Sequence, residues 1–238
     1  MSRTPAPVLT QAERDRRRLA IAFNLSLGFV GLLVAVFALQ RWLPVSSLAV
    51  APRELAGLAG LLTAPLLHGS VAHLAANATA LLILGTLAGS VYPRATLRAL
   101  PLLWLGSGLG AWLLGEEGTR HLGASGVTHG LMFMVTTLGL LRRDRPSIAA
   151  GMIVMLFYGG SVLAVLPHGD GISWQSHLGG ALAGVRPRCG NGSTLACPGR
   201  SSSSGASRFH STGTSSGEDG SSASRSRAAP DSSSTSQL

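Results

Sequence analysis

The chain has 238 residues, of which 46% are hydrophobic and only 12% charged. An average soluble domain has roughly 25% charged residues, so the composition excludes an ordinary soluble domain. The high apolar content also excludes intrinsic disorder for the first three quarters of the chain. The net charge of +9 comes entirely from arginine, and the arginines lie in short clusters between long apolar segments, a pattern that favours membrane topology over nucleic-acid binding.

Six apolar segments follow one another along the chain. They cover residues 19–43, 70–92, 95–115, 123–141, 147–167 and 173–185. The first is too long for the apolar part of a signal peptide, so we expect a retained helix. The sequence therefore predicts a basic segment at 1–18, followed by an all-α, six-helix membrane domain at 19–185.

The distribution of arginine predicts the orientation of these helices. With a cytoplasmic N-terminus, twelve arginines fall in the inner segments and three in the outer segments, leaving out four in the distal tail. Positive charge collects on the cytoplasmic side of membrane proteins. Helices two, four and six are therefore expected to start at the outer face and run inward.

Polar side chains stand at the start of these same three helices. Helix two carries His73 and Asn77, which share one face because they are four residues apart. Helix four carries Ser125 and, one turn later, His129; helix six carries His177. Polar groups inside a bilayer are costly and mark function by default, and the predicted orientation places all of these at one depth, just below the outer surface.

Such a set of residues is suited to acyl transfer. A serine hydroxyl becomes a good nucleophile when a base such as His177 accepts its proton, so Ser125 and His177 are the candidate catalytic pair. No carboxylate lies within the apolar segments to orient the histidine, which indicates a Ser-His dyad and no triad.

The same set contains candidates for stabilising an oxyanion. Gly123 and Gly126 allow the backbone to pack tightly around Ser125 and leave its amide free to face a substrate oxygen. Asn77 and His73 are expected to donate side-chain hydrogen bonds to that oxygen.

Three motifs together resemble those of the rhomboid family of intramembrane serine proteases, over about residues 19–185. The motifs are His73-x-x-x-Asn77, Gly123-Ala-Ser125-Gly126 and His177-x-x-Gly180-x-x-x-Gly184. The resemblance implies a six-helix core in the bilayer, here of a bacterial inner membrane with the N-terminus cytoplasmic. It also implies cleavage of single-pass or membrane-anchored proteins near the outer face, without metal, nucleotide or other cofactor. Ser125 is then the nucleophile and His177 the base, while His73, Asn77 and the Ser125 amide form the oxyanion hole.

The chain departs from the family pattern in three places. Residues 58–61 read Leu-Ala-Gly-Leu where many rhomboids carry a Trp-Arg pair, and His129 stands where an aromatic residue, often tyrosine, stacks near the catalytic histidine. His129 can support the dyad through hydrogen bonds, compete as the base, or only pack. The third departure is the apparent truncation of helix six, which at 13 residues is about 20 Å long against a hydrocarbon core of about 30 Å.

Residues 186–238 differ abruptly in composition, being rich in Ser, Gly and Arg with almost no aliphatic side chains. This composition predicts a disordered tail. One hypothesis is a shift of reading frame near residue 185 in a GC-rich gene, and the alternative is a genuine cytoplasmic tail with Arg186 and Arg188 anchoring a short span.

Two other function classes compete with a protease. The first is a non-catalytic, rhomboid-like protein that binds transmembrane helices without cutting them, which a damaged sixth helix favours. The second is a transporter or metal-binding protein that uses His68, His73, His129 and His177, although these residues form no compact three-ligand motif. A narrower variant of the protease is a sorting-type enzyme that processes C-terminal anchors.

Overall fold

The computed structural model describes residues 9–167 and 171–186, and in these ranges the chain is a bundle built around six main helices. Their bounds are α1 Gln11–Leu39, α2 Val71–Val91, α3 Pro93–Leu114, α4 Ser125–Arg142, α5 Arg145–Tyr158 and α6 Trp174–Val185. Short helical turns follow α1 and α5, and the described ranges contain no strand. The predicted all-α, polytopic architecture is confirmed, whereas the predicted tail, apart from Arg186, lies outside the described residues.

The helix starts follow local capping chemistry. Thr10 caps α1 in a reciprocal box with Glu13, so this helix begins at Gln11, well before the apolar segment predicted from residue 19, and includes the arginine cluster. Pro93 occupies the first position of α3, where its missing N–H costs nothing. Asp144 caps α5 by accepting a hydrogen bond of 2.9 Å from the Ser147 amide.

Four helical stretches are long and apolar enough to cross a membrane. They are Gln11–Trp42, Val71–Val91, Pro93–Leu114 and Arg145–Val165. The helix α4 has 18 residues, and most of its surface is buried by neighbouring helices, so its residues need not be as apolar as those that face lipid. The helix α6 has 12 residues, about 18 Å of helix, and is short for a membrane span.

Glycine contacts set the position of α6 between α3 and α4. On the α4 side, a Cβ atom at Gly180 or Gly184 would overlap the carbonyl oxygen of Gly126 or Gly130, respectively. On the α3 side, a Cβ atom at Gly179 would overlap the Gly106 carbonyl. Small residues permit such close approach of helices in membranes, so the glycine spacings bring the starts of α4 and α6 together.

The connection between α1 and α2 forms helical turns that cover the C-terminal end of α3. Val45–Leu48, Leu55–Ala59, Gly60–Thr63 and Ala64–Leu66 are the turns of this connection. The indole N–H of Trp112 donates to the Glu54 carbonyl at 3.0 Å, and that of Trp104 donates to the Leu62 carbonyl at 3.1 Å. The backbone of Val50 also pairs with that of His121 through two hydrogen bonds of 2.9 Å. The connection is therefore attached both to α3 and to the loop that precedes α4.

The glycine contact between α4 and α6 makes a testable prediction. Gly180→Ala should destabilise the bundle by about 1–3 kcal/mol, since its methyl group has no space beside the Gly126 carbonyl. Gly28→Ala in α1 is a matched control, because nothing lies within 4 Å of the added methyl group. The measurement is thermal or denaturant unfolding of the purified protein in detergent, and equal stability of the two variants would contradict the close contact.

Candidate active site

Ser125 and His177 meet at the N-terminal ends of two adjacent helices. Ser125 is the first residue of α4, and His177 lies in the first turn of α6. The distance between Ser125 Oγ and His177 Nε2 is 2.9 Å, and His177 is 5% exposed. The two residues are 52 positions apart in sequence, and the glycine contacts of α4 and α6 bring them within hydrogen-bonding distance.

A backbone carbonyl orients the imidazole of His177. Its Nδ1 lies 2.9 Å from the carbonyl oxygen of Ala164, in the turn that follows α5. Because a carbonyl oxygen only accepts, the hydrogen-bond pattern assigns the ring proton to Nδ1, which leaves the lone pair of Nε2 directed at Ser125 Oγ. The Ala164 carbonyl thus helps to fix the orientation of the ring relative to Ser125.

His73 and Asn77 lie beside the backbone that leads into Ser125. A Cβ atom at Gly123 would be 2.6 Å from His73 Cε1 and 3.6 Å from Asn77 Nδ2. Gly123 itself has φ +116°, a conformation that side chains other than glycine's rarely adopt. Glycine at this position therefore provides both the backbone turn and the space for the two side chains.

The potential hydrogen-bond donors around this backbone differ in what they already bind. The Gly123 N–H donates to the Ala64 carbonyl at 2.9 Å, so its contribution is to conformation and packing. Ser125 begins α4, where the first amides have no acceptor within the helix. Asn77 is 4% exposed, and its Nδ2 has no hydrogen-bond partner among the described residues. The Asn77 amide and the start of α4 therefore both have donors to offer a ligand.

His129 stacks on the ring of His177. The ring centroids are 3.9 Å apart with an angle of 12° between the planes. Its Nδ1 lies 2.8 Å from the Ser125 carbonyl and its Nε2 3.2 Å from the Ser161 carbonyl. Both ring nitrogens thus face backbone carbonyls, a geometry that suits support of the dyad better than competition as the base. Within the described ranges, no cluster of three metal-binding side chains is present.

The dyad opens into a cavity of about 860 Å³ lined by all the predicted site side chains and by several polar groups of the loops. His121 joins the loop before α4 to the start of α6, since its Nδ1 lies 2.7 Å from Ser173 Oγ. Thr119 Oγ1 lies 3.0 Å from the other ring nitrogen, and Ser173 in turn donates to Ser176 at 2.9 Å. Burial lowers the pKa of His121.

Helical periodicity could not reveal Thr119 and His121, because they lie in the loop between α3 and α4. The one available signal was the closeness of His121 to the Gly123-Ala-Ser125-Gly126 motif. The structure thus adds Thr119 and His121 to the predicted site, and with Ser173 and Gln175 at the start of α6 they form its polar wall.

Comparison with known proteins identifies the family of this site. The Rhomboid domain family model matches residues 55–186. Uncharacterized protein Rv1337 of Mycobacterium tuberculosis and uncharacterized protein Mb1372 of Mycobacterium bovis are each 38% identical over 198 residues, covering 77% of this chain and 79% of the relative. Uncharacterized protein ML1171 of Mycobacterium leprae is 36% identical over 134 residues, covering 53% of each chain. No solved structure matches the chain.

The buried side chain of His68, next to the candidate site, predicts that the fold loses stability at acid pH. Its backbone is held by Gln40, whose amide accepts from the His68 N–H at 2.7 Å and donates to the His68 carbonyl at 2.8 Å. Burial, and then the neighbouring His73, lower the pKa of His68 to about 4, and the nearby Leu66 backbone offsets only part of this shift. The folded state therefore binds this proton less readily than the unfolded state. The uncharged His68 side chain stabilises the fold fully above pH 6.5, and this contribution to the free energy of unfolding is lost as the pH falls towards about 4.

We expect the melting temperature of the wild type to fall between pH 6.5 and pH 4, and that of His68→Gln to fall less over the same window. The measurement is thermal unfolding in detergent across this pH range. An equally steep fall in both proteins would show that other groups carry the acid sensitivity.

Proposed function

The chain belongs to the rhomboid family, and on that premise we propose that it is an intramembrane serine protease with Ser125 as nucleophile and His177 as general base. The observation that carries the proposal is the 2.9 Å contact between Ser125 Oγ and His177 Nε2, combined with the Ala164 carbonyl at Nδ1. This pairing of a serine with an oriented imidazole is the arrangement that makes a hydroxyl nucleophilic.

The proposed reaction proceeds through an acyl-enzyme. Ser125 Oγ attacks the scissile carbonyl carbon while His177 Nε2 takes the hydroxyl proton, which gives a tetrahedral oxyanion and an imidazolium. The imidazolium then passes the proton to the leaving amine as the peptide C–N bond breaks. Water, activated by the same nitrogen, hydrolyses the ester and restores the Ser125 hydroxyl.

The oxyanion is assigned to the space between the start of α4 and the side chains of His73 and Asn77. The Asn77 amide, which has no partner for Nδ2 among the described residues, suits this role because it needs no rearrangement before donating. The amide of Ser125, at the start of the helix, is the second donor, and the His73 ring beside Gly123 is the third. Stacking of His129 keeps the plane of His177 fixed during the proton transfers.

Membrane-anchored proteins are the proposed substrates. The protein is an integral membrane protein, and its cavity combines polar groups of the loops with apolar side chains such as Leu84 and Met132. A segment entering from lipid can therefore meet Ser125 at the boundary where water is available for hydrolysis. The arginine distribution supports an inner-membrane location with the N-terminus in the cytoplasm, so that Ser125 lies near the outer face.

A second candidate is a rhomboid-like protein that binds transmembrane helices without cleaving them. The observation that favours it is the length of α6, which at 12 residues is about 18 Å and gives His177 a short supporting helix. The retained contact between Ser125 and His177 favours the protease. Covalent labelling of Ser125 distinguishes the two candidates.

An activated serine should react with a fluorophosphonate probe. We expect labelling of the full-length protein in detergent, and a loss of at least about 1,000-fold in Ser125→Ala and His177→Ala, because one lacks the nucleophile and the other the base. Ser161→Ala is the matched control, since this serine also lines the cavity but is not assigned to the chemistry. Labelling that survives in Ser125→Ala would reject the assigned nucleophile, and a folded wild type that never labels would favour the non-catalytic candidate.

The proposed oxyanion donor can be tested separately. Asn77→Ala should reduce the second-order rate constant of labelling by about 100-fold, which corresponds to the loss of one oxyanion donor. Asn24→Ala, at an exposed position of α1, should leave the rate unchanged. A rate for folded Asn77→Ala within about two-fold of the wild type would exclude Asn77 from the oxyanion hole.

A further inference from the structure

A second cavity, of about 510 Å³, lies at the end of the bundle opposite to Ser125. It is lined by the C-terminal ends of α2, α4 and α6 and by the N-terminal parts of α1 and α3, whereas the dyad lies at the starts of α4 and α6. Nothing in the proposed protease mechanism uses this cavity.

Five arginines line the cavity, four of them in α1, α3 and α4 and the fifth directly after α6. They are Arg18, Arg94, Arg98, Arg142 and Arg186. Arg94 and Arg98 are four residues apart on α3 and therefore share one face. Among the residues that the structure describes, no acidic side chain lines the cavity.

Only part of this positive charge is neutralised by the protein. Arg142 pairs with Asp144 at 3.3 Å and lies over the ring of Tyr92, and Arg18 has a long, exposed contact of 3.9 Å with Asp15. In the described ranges, Arg94, Arg98 and Arg186 have no ion pair within 4.0 Å. The three helix C-termini contribute roughly half a negative charge each, which leaves the cavity distinctly positive.

The rest of the lining is apolar. Leu102 and Ala99 on α3 face this space together with Met134 and Leu138 on α4. The short α6 ends here, with Gly184 in its last turn and Arg186 just after it, so the cavity lies where the glycine-packed contact of α6 with α3 and α4 stops. A ligand that fits must be anionic at one end and apolar at the other.

We propose that this cavity is a binding site for an anionic phospholipid, with the phosphate on the arginines and an acyl chain along the apolar wall. Guanidinium groups bind phosphate through paired hydrogen bonds, and basic pockets between transmembrane helices on the cytoplasmic side suit lipid headgroups. The residues that follow Arg186 are a poor alternative occupant, because the next acidic residue in the sequence is Glu218.

The test measures lipid binding to the full-length chain in a neutral detergent by native mass spectrometry. Phosphatidylglycerol should bind at least about 10-fold more tightly than phosphatidylcholine. Arg94→Gln/Arg98→Gln should weaken phosphatidylglycerol binding by roughly 30-fold, as expected for the loss of two arginines near a lipid phosphate. The matched control is Arg16→Gln/Arg17→Gln, which removes the same charge from the same end of the bundle but does not line the cavity, and it should bind as the wild type does.

A second variant and a competition experiment complete the test. Circular dichroism and gel filtration check that each variant folds. If the arginine variant does not fold, Thr137→Glu replaces it: this change places a carboxylate in the cavity and should weaken phosphatidylglycerol binding. Inorganic phosphate and glycerol 3-phosphate are added to compete with phosphatidylglycerol. If these soluble phosphates do not displace phosphatidylglycerol when they are added at the same concentration as the lipid, the result supports a lipid site. If they displace it at that concentration, the cavity binds a soluble anion and the lipid proposal is overturned. Equal binding of the two lipids, equal losses in the control and cavity variants, or no bound lipid in the wild type would also overturn the proposal.

Discussion

The close contact between α4 and α6 is the constraint on which the rest of this structure depends. Gly126 and Gly130 on one helix face Gly180 and Gly184 on the other, with no room for a methyl group between them. Lipid tails are as apolar as leucine, so packing of small residues is one of the forces that holds such helices together. The contact sets the separation of the helix axes, and that separation places Ser125 Oγ 2.9 Å from His177 Nε2.

Among the described residues, a backbone carbonyl and a stacked ring orient His177. The Ala164 carbonyl, which carries no net charge, accepts from Nδ1 of the imidazole. The His129 ring stacks on the imidazole of His177 and restricts the tilt of its plane. These two contacts hold the ring with Nε2 directed at Ser125 Oγ.

The two ends of the bundle have opposite chemical characters. The end that holds Ser125 offers hydrogen-bond donors and polar loop residues, while the opposite end offers arginine and an apolar wall. In the proposed arrangement the first end acts on membrane-anchored proteins and the second holds an anionic lipid. The helix α6 joins the two ends, because His177 lies in its first turn and its last turn ends at the second cavity.

The sequence by itself determined the six apolar segments, the all-α architecture and the set of polar residues at the starts of the second, fourth and sixth helices, because hydropathy and helical spacing are local properties. It also pointed to the family, which the Rhomboid match across residues 55–186 confirms. Only the tertiary structure decided that α1 includes the arginine cluster, that the Ala164 carbonyl orients His177, and that His121 and Ser173 join the polar wall. These features depend on contacts between residues far apart in the chain or in loops without periodicity, and no local pattern encodes such contacts.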